Sequence, residues 1–197
     1  FRGQRTGRDA DCVARLRNAG AVIMGKTVTT ELANTNPSKT RNPHNPEHSP
    51  GGSSAGSGAA VADFQVPLAL GTQTGGSVIR PGSFNGIHAL KPSLGLIQRE
   101  GVLMQSHTLD TVGVYGRSVE DLALIAGSLS AYDATDSFSF GGRRADLVAE
   151  SKLEAPTPRF AFLETPAWPQ ADAGARAAIE RVVDGLGARC VRENLPS

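Results

Sequence analysis

Three short segments of this 197-residue chain carry residue types and spacings that do chemistry. Residues 20–27 read GAVIMGKT, a literal match to the phosphate-binding pattern G-x-x-x-x-G-K-[ST]. Residues 52–56 read GSSAG, matching the G-x-S-x-G pattern of a nucleophilic serine on a sharp elbow. Residues 74–77 read TGGS. In this third segment Thr74, Gly75 and Gly76 offer consecutive N–H groups with little side-chain obstruction. With the N–H of Ser77 they can form an anion-holding nest.

The first two matches lack the context they need. A phosphate loop requires a strand before it, a polar glycine-rich interior and a helix after it. Here a helix precedes, and the interior residues Ala21, Val22, Ile23 and Met24 favour a strand. AVIM (21–24) is therefore expected to be a short buried strand, with Lys26 solvated at its edge. Nucleotide binding through residues 20–27 stays as an alternative. The serine elbow needs a strand to spring from, and the upstream PHNPEHSP offers none. Of the four histidines only His88 and His107 lie downstream, and His88 sits in an apolar run. Packed or hydrogen-bonded roles are expected for both.

The elements that must position these segments follow from periodicity and breakers. Asp9 to Ala19 reads as a helix with Val13 and Leu16 on one face, stopped by Gly20. Thr29 to Ala33 fits a turn or two of helix. Residues 34–50, rich in Pro and Asn, read as a loop. Ser54 to Phe64 is a run of small residues. It is a helix only if close backbone packing offsets the cost of glycine, ~1 kcal/mol each. Pro67 to Leu70, Gly86 to Pro92 and Arg159 to Glu164 read as strands. Ala171 to Leu186 reads as a helix. The clearest helix is Ser118 to Leu129, where Ser118 caps, Asp121 follows three residues on, and Leu122, Ile125, Ala126 and Leu129 form a stripe. Strands alternating with helices predict an α/β fold with a mainly parallel sheet.

Composition narrows the function classes. Twenty basic and 19 acidic side chains leave a net charge of +1, without the basic footprint that nucleic acid or an anionic membrane selects. No apolar run approaches the ~20 residues of a membrane span. Two cysteines, Cys12 and Cys190, do not make a disulfide framework, so a reducing, cytoplasmic compartment is the default. The chain starts at Phe1 and ends in ARCVRENLPS, where a strand should be pairing. Both ends predict an internal piece of a larger domain.

One resemblance accounts for more residues than any single motif. SPGGSSAGSGAAVADFQVPLALGTQTGGSVIRPGSFNGIHALKPSLGLI, continued by LDTVGVYGRSVEDLAL and preceded by RDADCVARLRNAGAVIMGKTVTTELA, resembles the amidase signature family. The likeness runs over roughly residues 1–130. It implies an α/β amidase-signature fold, a mixed sheet covered by helices on both faces. Residues 1–197 would be part of such a domain, with a signature core at about 20–130.

The implied activity is hydrolysis of an amide C–N bond in a small molecule through an acyl-enzyme. It needs neither cofactor nor metal, and the reading allows a homodimer. Cleaving an unactivated amide requires a nucleophile, a base that later protonates the amine, and donors for the oxyanion. By the resemblance, Ser77 is the acyl-accepting nucleophile, and Ser53 is the bridging serine, joined to Gly52 by a cis peptide bond. Thr74, Gly75 and Gly76 line the oxyanion hole. Placement of the two serines on glycine-flanked loops predicts their hydroxyls within hydrogen-bond reach, roughly 2.6–3.2 Å. The family's third member is a lysine upstream of the region that residues 1–30 match. Lys26, Lys39, Lys91 and Lys152 are the lysines present. Lys26 and Lys91 fall at other positions of the pattern, and the role is assigned to neither.

Three residues depart from the family's usual pattern. Gln73 stands where Asp is usual, Ile79 where Arg is common (Arg80 is one further on), and Asn85 where Cys is frequent. A catalytically inactive, amidase-like assembly protein is the alternative reading.

Overall fold

The computed structural model describes residues 3, 6–142 and 144–194. These fall into two compact units, Phe1–Lys152 and Leu153–Ser197. The first contains helices α1 (Asp11–Asn18), α2 (Ala55–Ala62), α3 (Ile79–Phe84), α4 (Val119–Leu129) and α5 (Leu147–Glu150). Its strands are β1 (Ala69–Gln73), β2 (His88–Leu90) and β3 (Thr111–Gly116), in the order β1-β3-β2. Both pairings are antiparallel, with Ala69 opposite Tyr115, Gln73 opposite Thr111 and Leu90 opposite Val114. The second unit pairs β4 (Phe160–Glu164) in parallel with β5 (Cys190–Asn194) across α6 (Ala173–Leu186). The fold is thus mixed α/β. The expectation of a mainly parallel sheet holds only for the second unit, because β1 and β2 both flank β3, a strand whose apolar signal is weak in the sequence.

β3 organises the first unit, with all six residues buried. Val112 and Val114 point to one face, where they meet Cys12 of α1 and Leu122, Ile125, Ala126 and Leu129 of α4. Tyr115 points to the other, against Val61 of α2 and Val78 just before α3. Helices therefore cover both faces, as a strand apolar on both sides requires. Gly113 lies among the Val78-facing residues. A Cβ there would come within 2.8 Å of the Val78 side chain.

α2 is the small-residue helix expected from residues 54–64, and all eight of its residues are buried. α4 begins as its capping sequence predicts, with the Ser118 hydroxyl accepting from the Asp121 N–H at 3.0 Å. Among the described residues, no helix is long and apolar enough to cross a membrane.

The segment 21–24 departs from expectation. It forms no strand, and Val22 and Met24 are 82% and 75% exposed. An apolar run becomes a buried strand only when a sheet edge is there to pair with it, and among the described residues none does.

Candidate active site

β1 ends at Gln73, and the TGGS loop turns directly from it into α3. The Gln73 side chain is buried under this turn. Its Nε2 donates to the Gly75 carbonyl at 3.1 Å, while its Oε1 accepts from the Val78 N–H at 2.9 Å and the Ile79 N–H at 3.0 Å. The N–H groups of Gly75, Gly76 and Ser77 meet no acceptor among the described residues. They are left as a nest of donors of the kind that binds an anion.

A second bracket comes from the loop before β3. The Thr74 hydroxyl donates to the Asp110 carboxylate, which also accepts from the Gln105 and Ser106 N–H groups. Burial pushes the Asp110 carboxyl up. The bonds from Thr74, Ser106 and Gln105 and the charge of Arg99 outweigh this and hold it below the usual carboxylate range. Arg99 is itself buried. It donates to the His107 and Asp110 carbonyls at 2.7 and 3.1 Å and forms a two-point ion pair with Asp136 at 2.8 and 2.9 Å. The bonds from Arg99 in turn hold the Asp136 carboxyl low against its own burial.

The GGSS loop approaches from the other side. The Gly52–Ser53 peptide bond is cis, as the resemblance implies. Ser53 is buried, and its carbonyl accepts from the Thr30 N–H at 3.0 Å. Ser54, also buried, works as an extra strand residue beside β1. Its hydroxyl accepts from the Thr72 N–H at 3.2 Å and donates to the Thr72 carbonyl at 3.3 Å. Gly71 makes this approach available, since a Cβ there would lie 2.8 Å from both the Ser54 hydroxyl and the Tyr115 ring. Asn85 fixes the loop's entrance by donating to the Pro50 and Pro81 carbonyls at 2.7 and 2.8 Å. His44, on the neighbouring loop, bonds the Asn85 carbonyl at 2.9 Å.

The two serine segments meet through their backbones. The Ser54 N–H donates to the Ser77 carbonyl at 3.3 Å, and the Tyr115 hydroxyl donates to the same carbonyl at 3.3 Å. Burial pushes the Tyr115 phenol far up, so it stays a neutral donor. The direct Ser53–Ser77 hydroxyl bond expected from the sequence is not formed among the described residues. The backbone tether from the Ser54 N–H to the Ser77 carbonyl holds the two segments together. Beside the loops lies an open cleft of about 190 Å³, whose lining includes Gly51, Gly52, Arg41 and Arg80.

The other motifs come to nothing chemical. Residues 20–27 have no strand before them and no α-helix directly after, so the phosphate-loop geometry is missing. Lys26 is exposed, and the Lys91 ammonium donates to the Pro92 carbonyl at 2.6 Å. No strand precedes the GSSAG elbow, and both His88 and His107 are exposed. Among the described residues, no group of three or more His, Cys, Asp or Glu side chains could hold a metal ion.

Sequence reasoning missed the Arg99–Asp136–Asp110 bracket, whose members stand up to 37 residues apart. It flagged Gln73 and Asn85 only as departures.

Known proteins resemble this chain in sequence and fold. A family profile described as Amidase matches residues 1–193. A glutamyl-tRNA(Gln) amidotransferase subunit of Legionella pneumophila (strain Paris) is 37% identical over 196 residues, covering 95% of this chain and 41% of the relative. The crystal structure of the same amidotransferase component from Thermotoga maritima superposes with a TM-score of 0.86 at 33% identity. That match covers 98% of this chain and 45% of the other. Native peptide amidase from Stenotrophomonas maltophilia gives 0.82 at 35% identity, over 95% of this chain and 41% of that one. The chain thus spans about two-fifths of the length of the relatives it matches.

Proposed function

The chain belongs to the amidase family, and from that premise we propose that it carries the nucleophile half of an amide-hydrolysing site. In this reading Ser77 Oγ attacks the carbonyl carbon of a small-molecule amide. Its proton passes to Ser53 Oγ, and the proton of Ser53 passes on to a terminal base. The C–O bond of an ester forms, the C–N bond breaks, and the amine leaves with the proton returned through Ser53. Water then adds to the ester by the same relay, releasing the carboxylic acid and restoring Ser77. The N–H groups of Gly75, Gly76 and Ser77, with Thr74 at the start of the turn, hold the oxyanion. Losing one such donor typically costs ~10²–10³ in rate.

A neutral serine does not hold an extra proton at pH 7, so the relay needs a further group. A lysine whose charged form is disfavoured by burial suits it. The resemblance places this base on a lysine upstream of the region that residues 1–30 match, and the role is assigned neither to Lys26, which is exposed, nor to Lys91, which is engaged with Pro92. The observation that carries the proposal is the meeting of the two serine segments beside donors left without acceptors.

The test compares the protein that contains this chain with residues 1–197 expressed alone, on a panel of simple amides. The longer protein is expected to turn over and to be labelled at Ser77 by a fluorophosphonate, and Ser77→Ala to abolish both. The isolated chain is expected not to turn over. Turnover by the isolated chain that Ser77→Ala abolishes would put the base within residues 1–197. A longer protein that is folded, unlabelled and inactive would favour the assembly role.

A further inference from the structure

We propose that the cleft beside the serine loops binds a carboxylate, and that the amides this site takes are those that carry one. The inference rests on the reading of Ser77 as nucleophile and names a substrate class for it. Arg41 and Arg80 line the cleft together with Thr30, Ser38 and Ser49 from the loops before GGSS. Among the described residues the lining contains no carboxylate. Nor does either arginine form an ion pair there, whereas Arg8, Arg15, Arg17, Arg99 and Arg192 each pair with an Asp or Glu. Two guanidinium groups on one small space without a counter-charge repel each other and favour an anion between them.

Arg80 also ties the cleft to the reacting groups. Its Nη1 donates to the Gly52 carbonyl at 3.4 Å, one residue before Ser53. Its Nη2 lies so close over Gly76 that a Cβ there would come within 2.8 Å of it. The guanidinium thus touches both serine loops, beside the donors assigned to the oxyanion. Its remaining N–H groups suit the forked pairing that arginine makes with a carboxylate. The volume of about 190 Å³ is below the ~300 Å³ at which pockets for drug-sized ligands begin, so the anion is a short one. The carboxylate takes no part in the chemistry. It anchors the amide while Ser77 attacks, and so contributes by orientation.

The experiment uses the protein that contains this chain and two matched pairs of amides. Succinamate is compared with 4-methylpentanamide, which has its shape without its charge, and N-butyrylglycine with N-isobutylbutyramide. The first pair carries the carboxylate on the acyl side, the second on the amine side. In one pair, kcat/KM for the anionic amide is expected to exceed that for the neutral one about 100-fold. That ratio should fall about 10-fold in Arg41→Gln and in Arg80→Gln. Titration calorimetry of the Ser77→Ala protein with succinate reads the anion site without turnover, and each arginine substitution should weaken that binding about 10-fold. Equal kcat/KM within both pairs would overturn the carboxylate site and leave Ser77 as nucleophile, a result that needs no variant to fold. Succinate affinity unchanged in folded arginine variants would overturn it too. A folded protein that binds succinate through Arg41 and Arg80 but is neither labelled at Ser77 nor active would instead overturn the nucleophile reading, and the substrate class with it.

Discussion

The two compact units differ in what backs their strands. In the first, every residue of β3 is buried, and helices close both faces. In the second, no residue of β4 is buried, and Phe160 and Leu163 are 40% and 42% exposed. Val183 of α6 is the one buried residue among those described there. Both units have regular helices and strands. Only the first has the enclosure that holds a turn in one geometry, and the serine loops and their brackets lie in it. Regular secondary structure is therefore a poor guide to where a site can be built, and burial on both faces of a strand is a better one.

Substitutions can break that contrast. The largest effect is expected from Asp136→Asn, which leaves the Arg99 charge buried without its ion-pair partner. Loss of about 3–5 kcal/mol of stability is expected, read by urea denaturation. The acid response carries the same sign. Asp110 and Asp136 are held below their usual range, so their contribution is present above the unfolded value of about 4 and is lost as pH falls through the lower folded values. Asp136→Asn should flatten part of that acid loss, and an unchanged acid limb would show that the pair is not responsible.

Leu129, fully buried in α4, comes next. Leu129→Ala should cost about 3 kcal/mol, against about 1–2 kcal/mol for Val183→Ala in the second unit. Trp168 is the sole tryptophan and packs edge-on against Phe162, so its fluorescence follows the second unit by itself. That signal should melt at lower urea than the circular dichroism of the whole chain. Coincident transitions, or equal costs at the two sites, would erase the contrast. The smallest effect is expected at Val182, 64% exposed on α6, where Val182→Ser should stay within about 0.5 kcal/mol.

What the sequence makes legible is local. The cap on α4 depends on neighbours a few residues away, and the close packing of α2 shows in its own small residues, so both are readable even though α2 meets Val28 and Pro81 far off in sequence. β3 is not, because two glycines interrupt TVGVYG and dilute its apolar signal. One of them, Gly113, is there for Val78, which lies 35 residues earlier in a different element. AVIM misleads for the opposite reason: its composition suits a strand, but pairing is a property of a partner. Within the candidate site, Gln73 and Asn85 are visible only as departures from a family pattern. The Asn85 bond to the Pro50 carbonyl spans 35 residues, and the Gln73 bonds exist only once the turn after β1 has formed. Asp110, Arg99 and Asp136 carry no signal at all, since isolated charges in separate loops read as solvated surface.

The register that sets Gln73 opposite Thr111 also fixes an order of events during folding. Thr74 and Asp110 stand 36 residues apart and become neighbours only when β1 and β3 have paired. Contacts across such a span must meet the entropy of closing a long loop before they return anything, and form late compared with helices. In refolding, α2 and α4 should therefore appear before the turn that carries Ser77 is gripped by Asp110. A ribosome that has released the chain only as far as residue 105 has already exposed GGSS and TGGS. It has made neither the strand that supports them nor Asp110, which grips the turn. In its proposed role, Ser77 is thus shielded from premature reactivity by the arithmetic of its own topology.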